Sequence, residues 1–332
     1  MSLNILVIRR DNIGDLVCTL PMIAALRAHY PDAWIGALVT RYNAEVLHAN
    51  PDIDEVFSYQ KAKHLGPGES LVKNTLARVR QLWSLRQRKL DLILLPASGT
   101  QRSAQQMATL IGAARVLSQD DVPASNEARH EVERTANILR ALGVATNPLP
   151  AAHVVPRPEL REALRDRLAP RDGGPLLGVH ISSRKPSQRW PAERFVELMR
   201  ALHARRPGVR FALFWSPGAE NNPLHPGDDD KARAIFNACT DVPLAPCPTH
   251  SLAELIAGLS LTDALLCSDG GHMHLAAALA KPIVAMFGQS DVARWHPWDV
   301  PYRVIQPASH AATDISVTEV VDALASLDAR LA

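Results

Sequence analysis

The first loop of the chain that could belong to an active site is followed by a carboxylate, that of Asp15. Asp15 follows Gly14 after an apolar run at 3–8 and a polar turn, a pattern that predicts a strand, a loop and then a helix. A carboxylate at the tip of such a strand could remove a proton from a substrate hydroxyl. On geometry alone the simpler role is that of a helix N-cap that accepts a backbone N–H, so both roles stay open.

The loop after the apolar run at 176–181 is rich in hydroxyls and cations. The hydroxyls belong to Ser182, Ser183 and Ser187, and the cations to Arg184, Lys185 and Arg189. Such a set can hold a diphosphate by charge-assisted hydrogen bonds, although a solvated basic loop has the same composition. Glu220 lies beyond the next predicted strand, where it could accept hydrogen bonds from ribose hydroxyls.

A third loop joins the apolar run at 264–267 to an alanine-rich helix and reads SDGGHMH at 268–274. Gly270 and Gly271 would leave backbone N–H groups accessible at the helix N-terminus, where a phosphate meets the positive end of the helix dipole. His272 and His274 are two residues apart with no third ligand recognisable, which is a weak metal signal. The sequence therefore predicts no metal site.

Residues 61–90 concentrate positive charge, with eight Lys and Arg against one acid, Glu69. Val72, Leu76, Val79 and Trp83 recur at helical spacing, which predicts a helix that packs through this face and leaves its cations solvated. Charge this concentrated could also attract a phosphorylated or acidic-sugar acceptor at an anionic membrane surface.

Short apolar runs, which we expect to be strands, lie at 3–8, 34–39, 92–95, 114–117, 176–181, 209–214, 264–267 and 283–287. Helical patterns lie between them, including one at 15–29 and a basic amphipathic one at 71–89. This alternation is typical of parallel sheets covered by helices on both faces. Proline is concentrated at 145–158, and a second series of strands and helices begins at 176. We therefore predict two Rossmann-like, doubly wound α/β domains, 1–150 and 151–332, facing a cleft. Ligands of such folds bind beyond the carboxyl ends of the strands, where the three loops lie.

The composition of the 332 residues limits the possible functions. With 47% hydrophobic and 21% charged residues the chain should fold, and its length favours two domains. Its 36 basic and 34 acidic residues are too evenly balanced for a protein that coats nucleic acid, so no nucleic-acid partner is expected. The four cysteines are scattered, which predicts neither disulfides nor zinc.

Neither a membrane-spanning helix nor a signal peptide is recognisable, so a cytoplasmic location is expected. The first strand–helix turn has one glycine, Gly14, where a dinucleotide fingerprint has three. A Gly-x-x-x-x-Gly-Lys-Ser/Thr loop for a nucleoside triphosphate is also missing from the sequence. We therefore predict no cofactor.

Four sequence blocks, taken in order, resemble glycosyltransferase family 9, the ADP-heptose:lipopolysaccharide heptosyltransferases of Gram-negative bacteria. The blocks are ILVIRRDNIGDLVCTLP at 5–21, RSA at 102–104 with LIGA at 110–113, RWPAERF at 189–195 and SDGGHMHLAAALAKPIVAMFGQSD at 268–291. The resemblance implies the two-Rossmann GT-B fold and an inverting transfer without metal. The expected donor is ADP-heptose, and the expected acceptor is a lipopolysaccharide core or related glycan at the inner face of the cytoplasmic membrane. The last helix could pack back on the N-terminal domain.

The resemblance also implies roles for single residues. Asp15 matches the general base that deprotonates the acceptor hydroxyl. The residues expected to bind the donor are Ser182, Ser183, Lys185, Gln188, Glu220, Asp269, Gly270, Gly271, His272 and His274. The residues expected to bind the acceptor are Arg10, Asn12, Lys61, Lys63 and Arg102.

Two positions depart from the family pattern. Many members have a lysine where this chain has Gln188, so either Lys185 or Arg184 reaches in to replace that cation, or the site is weakened or tuned to another donor. Gly270 lacks the hydroxyl of the more usual Ser or Thr. Two alternatives therefore remain: another two-Rossmann sugar-nucleotide enzyme of the epimerase kind, and a catalytically weak nucleotide-sugar binding protein.

Overall fold

The computed structural model describes residues 3–60, 70–99, 101–123, 129–168, 174–221 and 226–328. The chain divides into two compact units, Met1–Val155 and Pro156–Ala332, so the division falls inside the proline-rich segment. Each unit has one parallel β-sheet with helices packed against it. The predicted fold class, two parallel-sheet α/β domains, is thereby confirmed.

The sheet of the first unit has the strand order β3-β2-β1-β4-β5. Its strands are β1 Asn4–Ile8, β2 Trp34–Thr40, β3 Glu55–Tyr59, β4 Leu90–Leu95 and β5 Ala113–Ser118. Its helices are α1 Ile13–Val17, α2 Leu20–His29, α3 Leu71–Gln87, α4 Arg102–Ile111 and α5 Glu131–Ala136, with short 3-10 helices at Ala44–Leu47, Gln119–Asp121 and Asn137–Leu142.

The sheet of the second unit has the order β11-β10-β9-β6-β7-β8. Its strands are β6 Leu176–His180, β7 Arg210–Trp215, β8 Leu244–Pro248, β9 Ala264–Ser268, β10 Ile283–Met286 and β11 Tyr302–Ile305. Its helices are α6 Pro158–Leu168, α7 Ala192–Arg205, α8 Asp229–Ala238, α9 Leu252–Ser260, α10 Gly271–Ala278, α11 Val292–Trp295 and α12 Val317–Leu327, with 3-10 helices at Pro186–Gln188 and Ala312–Asp314.

The strands that the sequence did not predict, β3, β8 and β11, all lie at sheet edges. Central strands such as β9 are buried along their whole length and so read as continuous apolar runs. Two prolines, Pro246 and Pro248, interrupt that signal in β8, and β3 alternates buried with exposed residues. These three edge strands therefore lack the sequence pattern that identifies the centre of a parallel sheet, whereas the fourth edge strand, β5, was predicted at 114–117.

The single helix predicted from Asp15 to His29 is wrong, because α1 ends at Val17 and α2 begins at Leu20. Pro21 accounts for the break, since a proline is tolerated in the first turn of a helix but not in its interior. Asp15 therefore lies on a separate helix of five residues, α1, which follows the carboxyl end of β1.

The core of the second unit gathers around its sheet and includes Trp190, which is 1% exposed. The Trp190 indole N–H donates to the Ile315 carbonyl at 2.9 Å, and its ring meets Phe195 edge-on with centroids 4.8 Å apart. The closing helix α12, which the resemblance suggested could pack back on the N-terminal domain, packs on α7, β10 and β11 of its own unit.

Helix α3 contradicts the predicted packing. The residues expected to pack, Val72, Leu76, Val79 and Trp83, are 51–68% exposed. Its inward face is instead formed by Asn74, Arg78, Gln81, Leu82 and Leu85. Among the described residues, no helix is both long and apolar enough to cross a bilayer.

Candidate active site

Asp15 is the third residue of α1, and its carboxylate turns back toward the loop after β1. Oδ2 accepts from the backbone N–H of Asn12 at 3.2 Å and from Asn12 Nδ2 at 2.9 Å. The residue in the N-cap position is Asn12, so the N-cap role considered for Asp15 is wrong, although its carboxylate does accept a backbone N–H. These contacts fix one oxygen of the carboxylate.

A buried arginine fixes the other oxygen. Arg9 is 1% exposed, and its Nη2 donates to Asp15 Oδ1 at 2.9 Å and to Glu131 Oε1 at 3.1 Å. Its Nε lies 3.1 Å from a carboxylate oxygen of Asp11. Sequence reasoning missed both Arg9 and Glu131, because Glu131 begins α5, far along the chain, and only the fold brings it beside β1.

Arg10 joins three elements at the same end of the first sheet. Its Nε donates to the hydroxyl of Tyr59, the last residue of β3, and its Nη1 donates to Ser103 Oγ at 2.5 Å in α4. The guanidinium of Arg78 in α3 lies 5.0 Å from the centroid of the Tyr59 ring. Arg102 is exposed in the first turn of α4. The remaining predicted acceptor residues, Lys61 and Lys63, lie outside the described residues.

Gln188 is the centre of a polar network in the second unit. It is 3% exposed, and its Nε2 donates to Asp269 Oδ2 at 2.7 Å and to Ser290 Oγ at 3.0 Å. Its Oε1 accepts from Ser183 Oγ at 3.1 Å. The ammonium of Lys185 donates to the same Ser290 hydroxyl at 3.1 Å, so of the two cations considered, Lys185 is the one in this network.

Ser182 belongs to a second group of contacts at the carboxyl ends of β6 and β7. Its Oγ accepts the backbone N–H of Ser216 at 2.9 Å. Burial raises the pKa of Asp228, while a hydrogen bond from Ser182 opposes the rise. Burial lowers the pKa of Lys231 to about 8, and its ammonium donates to the Ile181 carbonyl at 3.0 Å. Sequence reasoning did not identify Asp228 or Lys231.

Glu220 is tied to the basic loop by an ion pair. Arg189 Nη1 lies 2.8 Å from Glu220 Oε1, and Arg189 Nε donates to the Ser183 carbonyl at 3.0 Å. The Glu220 side chain is 73% exposed, so it remains accessible to solvent while it is paired with Arg189. Its carboxylate could therefore bind a hydroxyl-bearing ligand.

Gly270 precedes α10 in an extended conformation, and the space beside it is filled by a histidine. A Cβ at Gly270 would lie 2.7 Å from the His272 ring, which accounts for the lack of a side chain there. Gly271 is the first residue of α10. The His272 ring stacks on His180 with centroids 3.8 Å apart, and its Nε2 lies 2.8 Å from the Ser268 carbonyl.

Burial lowers the pKa of both stacked histidines, that of His272 to about 4 and that of His180 well below its ordinary value. Both rings are therefore neutral at pH 7. His274 is 4% exposed and meets Trp295 edge-on. In the described part of the chain, no three His, Cys, Asp or Glu side chains are clustered as metal ligands.

Comparison of the chain with known protein families identifies the class of enzyme to which these sites belong. Residues 101–323 match the model of glycosyltransferase family 9 (heptosyltransferase). The chain belongs to glycosyltransferase family 9. The resemblance read from its sequence blocks is therefore confirmed, and the protein is a glycosyltransferase.

This glycosyltransferase is 24% identical over 303 residues to lipopolysaccharide heptosyltransferase 3 of Escherichia coli, covering 86% of this chain and 83% of the relative. A family 9 glycosyltransferase from Veillonella parvula superposes with a TM-score of 0.82 at 20% identity, covering 98% of both chains. The E. coli heptosyltransferase WaaC with ADP gives a TM-score of 0.77 at 18% identity, covering 98% of this chain and 99% of that one. These structures share the fold of the glycosyltransferase.

Proposed function

We propose that this glycosyltransferase transfers a heptose-like sugar from ADP-heptose to a hydroxyl of a lipopolysaccharide core or related glycan, with inversion at the anomeric carbon. The similar E. coli relative is a lipopolysaccharide heptosyltransferase, and the similar solved E. coli enzyme holds ADP. The donor would bind the second unit and the acceptor the first, following the predicted division near 150.

Asp15 is proposed as the general base, and the observation that carries this role is the way its carboxylate is held. Arg9 binds one oxygen and Asn12 the other, while the side chain keeps 16% of its surface exposed. A fixed but accessible carboxylate can take the proton from an acceptor hydroxyl. As that oxygen bonds to the anomeric carbon, the bond from this carbon to the diphosphate breaks and ADP leaves.

The departing diphosphate needs positive charge at the moment when it forms. We propose that Lys185 supplies it in place of the lysine that many family members have at the Gln188 position. The ammonium already lies in the network of Gln188 and Ser290. Arg189 and the backbone N–H groups at the start of α10 would add to it, so that the transfer needs no metal.

The remaining donor contacts are proposed from the same geometry. Ser182 and Ser183 would bind the phosphates, Glu220 the ribose, and Asp269 the sugar. Gly270 and Gly271 would let the diphosphate approach α10, beside His272 and His274. The carboxylate of Asp269 is oriented by Gln188 at 2.7 Å, which makes Gln188 a positioning residue for the donor loop.

The acceptor would bind at the end of the first sheet, where Arg10 is oriented by Tyr59 and Ser103. Asn12 and Arg102 flank this position, and Lys61 and Lys63 are proposed to extend it. A glycan that carries phosphate or carboxylate suits these cations. Such an acceptor would be met at the inner face of the cytoplasmic membrane.

The experiment is a measurement of ADP release from ADP-heptose with and without deep-rough lipopolysaccharide. Acceptor-dependent release, with an inverted anomeric centre in the product by NMR, is the expected result. Release that is equally fast without acceptor would indicate the epimerase-like alternative. Donor binding with no release under either condition would indicate a binding protein, and both outcomes contradict the proposal.

A further inference from the structure

The outward face of α3 carries a stripe of large apolar side chains. Val72 is 68% exposed, Leu76 51%, Val79 56% and Trp83 63%. Their spacing of four, three and four residues places them on one side of the helix, within an arc of about 60°. Single exposed apolar residues are ordinary, but an aligned row that includes a tryptophan marks an interaction surface. We call these four residues the α3 stripe.

The inward face of α3 contacts the rest of the unit through two side-chain amides and through Leu82 and Leu85, which leaves the stripe facing outward. Asn74 Nδ2 donates to the Gln60 carbonyl at 3.2 Å, and Gln81 Nε2 donates to the Ser58 carbonyl at 3.1 Å. Both carbonyls belong to edge strand β3 or the residue after it. The helix therefore covers a sheet edge with its amides, and turning the stripe inward would break these bonds.

Positive charge borders the α3 stripe on both sides. At about 100° per residue, Lys73 and Arg80 lie about 70–90° to one side of the stripe centre and Arg86 about 50° to the other. Residues 70–89 contain no Asp or Glu. Arg86 Nη1 also donates to the carbonyl of Leu110, whose 61% exposed side chain brings a further apolar group from α4.

We propose that the α3 stripe docks on an anionic lipid bilayer, with α3 lying in the plane of the interface. Apolar side chains between rows of cations are the pattern of an interfacial helix, and tryptophan prefers the headgroup level. The 17-residue helix is about 25 Å long and could not span a bilayer with four cations on it. The lipid phosphates would neutralise Lys73 and Arg80.

The alternative partner for an exposed apolar stripe is the same stripe on a second copy of the chain. Two α3 helices packed through their stripes would bring Lys73 and Arg80 of both copies to the edges of one seam, with no acid of α3 to pair with them. Like charges at such a seam destabilise pairing, whereas an anionic surface is attracted by them. The charge pattern therefore favours the bilayer.

The inference adds a membrane-docking surface to the proposed function, and its test requires no turnover. The full chain is sedimented with vesicles of phosphatidylglycerol and phosphatidylcholine in equal parts, and with vesicles of phosphatidylcholine alone. Binding only to the anionic vesicles, weakened by salt, is expected. The variant L76S/W83S should lose at least about tenfold in partitioning, whereas the control L3S/V116S, also at exposed apolar positions, should bind normally.

The contribution of the cations beside the α3 stripe to vesicle binding is tested separately. K73Q/R80Q should weaken partitioning by about tenfold or more, since each cation near an anionic surface contributes about fivefold. R205Q/R206Q removes two exposed cations from the second unit and should leave partitioning unchanged. Quenching of Trp83 by brominated lipid, absent in W83S, would place the stripe at the bilayer.

Failure of the parent chain to bind the anionic vesicles would overturn the inference, and so would either of two further results. One is vesicle binding that L76S/W83S leaves intact while its circular dichroism matches that of the parent. The other is a dimer, measured by light scattering, that the same variant converts to a monomer without any vesicle binding by the parent. Transfer to a detergent-free, water-soluble acceptor fragment should be unchanged in L76S/W83S, so failure of docking and failure of the proposed function are distinguishable.

Discussion

Replacing Arg9 with methionine tests whether this buried guanidinium holds the proposed base. Methionine keeps most of the side-chain length but removes the charge and every donor. Two carboxylates would lose a hydrogen bond: Asp15, whose side chain is 16% exposed, and Glu131, whose side chain is 2% exposed. The greater penalty should fall on Glu131, because its side chain is the more deeply buried of the two and is less accessible to water.

The size of the effect follows from that burial. Removing one partner of a buried ion pair costs about 3–5 kcal/mol, because the charge that stays buried loses an interaction that offsets its desolvation. With Glu131 changed to Gln, R9M should cost only about 1–3 kcal/mol, the range expected for lost hydrogen bonds. The double-mutant cycle should therefore give a coupling of about 2 kcal/mol.

The assay combines urea unfolding with amide hydrogen exchange in β1, which reports the first unit by itself. The control is R194M, whose partner Glu197 lies at 3.4 Å with both side chains 43–59% exposed, so its cost should stay within about 1 kcal/mol. R9M should also lower kcat about tenfold at saturating donor, which corresponds to about 1.4 kcal/mol. A stability loss equal to that of R194M, or an unchanged kcat, would refute the role given to Arg9.

Three further changes test other parts of the account. K185Q should lower kcat about 10²–10³-fold with little change in donor affinity, measured by ADP release and calorimetry; an effect below about threefold would contradict its role at the leaving group. In the folded chain the pKa of His272 is lowered to about 4, whereas in the unfolded chain this imidazole takes up a proton as pH falls below about 6.5. The free energy of unfolding should therefore fall by up to about 1.4 kcal/mol per pH unit between pH 6.5 and 4, measured by urea titration. H272Q should show a weaker dependence of stability on pH over this range. G258A places a Cβ 2.6 Å from the Phe214 ring and should cost about 1–3 kcal/mol, whereas G208A meets nothing within 4 Å and should be near neutral in the same unfolding assay.

The sequence predicted the alternating architecture and the centres of both sheets, since strands buried on both faces read as apolar runs. It did not predict three of the four edge strands, β3, β8 and β11, which are only partly buried. The fourth edge strand, β5, was predicted at 114–117. The interpretation of α3 was wrong in orientation, although the helix begins at the predicted Leu71 and ends at Gln87, two residues before the predicted end at Lys89. Helical spacing locates an apolar face but not what covers it. In the structure the helix packs instead through Leu85, which is buried in the core, and through the hydrogen bonds of Asn74 and Gln81.

The loops around the site were predictable because each follows a recognisable strand. Ser183, Lys185, Gln188 and Asp269 were all identified from sequence, and hydrogen bonds connect all of them, directly or through one hydroxyl. That hydroxyl, from Ser290, lies after β10 and carries no local signal of its own. Contacts between distant segments of this kind require the fold and cannot be read from spacing.

The most direct test of the account compares D15N with the parent enzyme in acceptor-dependent ADP release from ADP-heptose. Asparagine keeps the shape of the side chain but cannot take the acceptor proton, so the rate should fall about 10²–10⁴-fold. Donor affinity, measured by calorimetry, should stay within about twofold because the donor is proposed to bind the second unit. A rate within threefold of the parent, or loss of donor binding in a folded variant, would contradict Asp15 as the base.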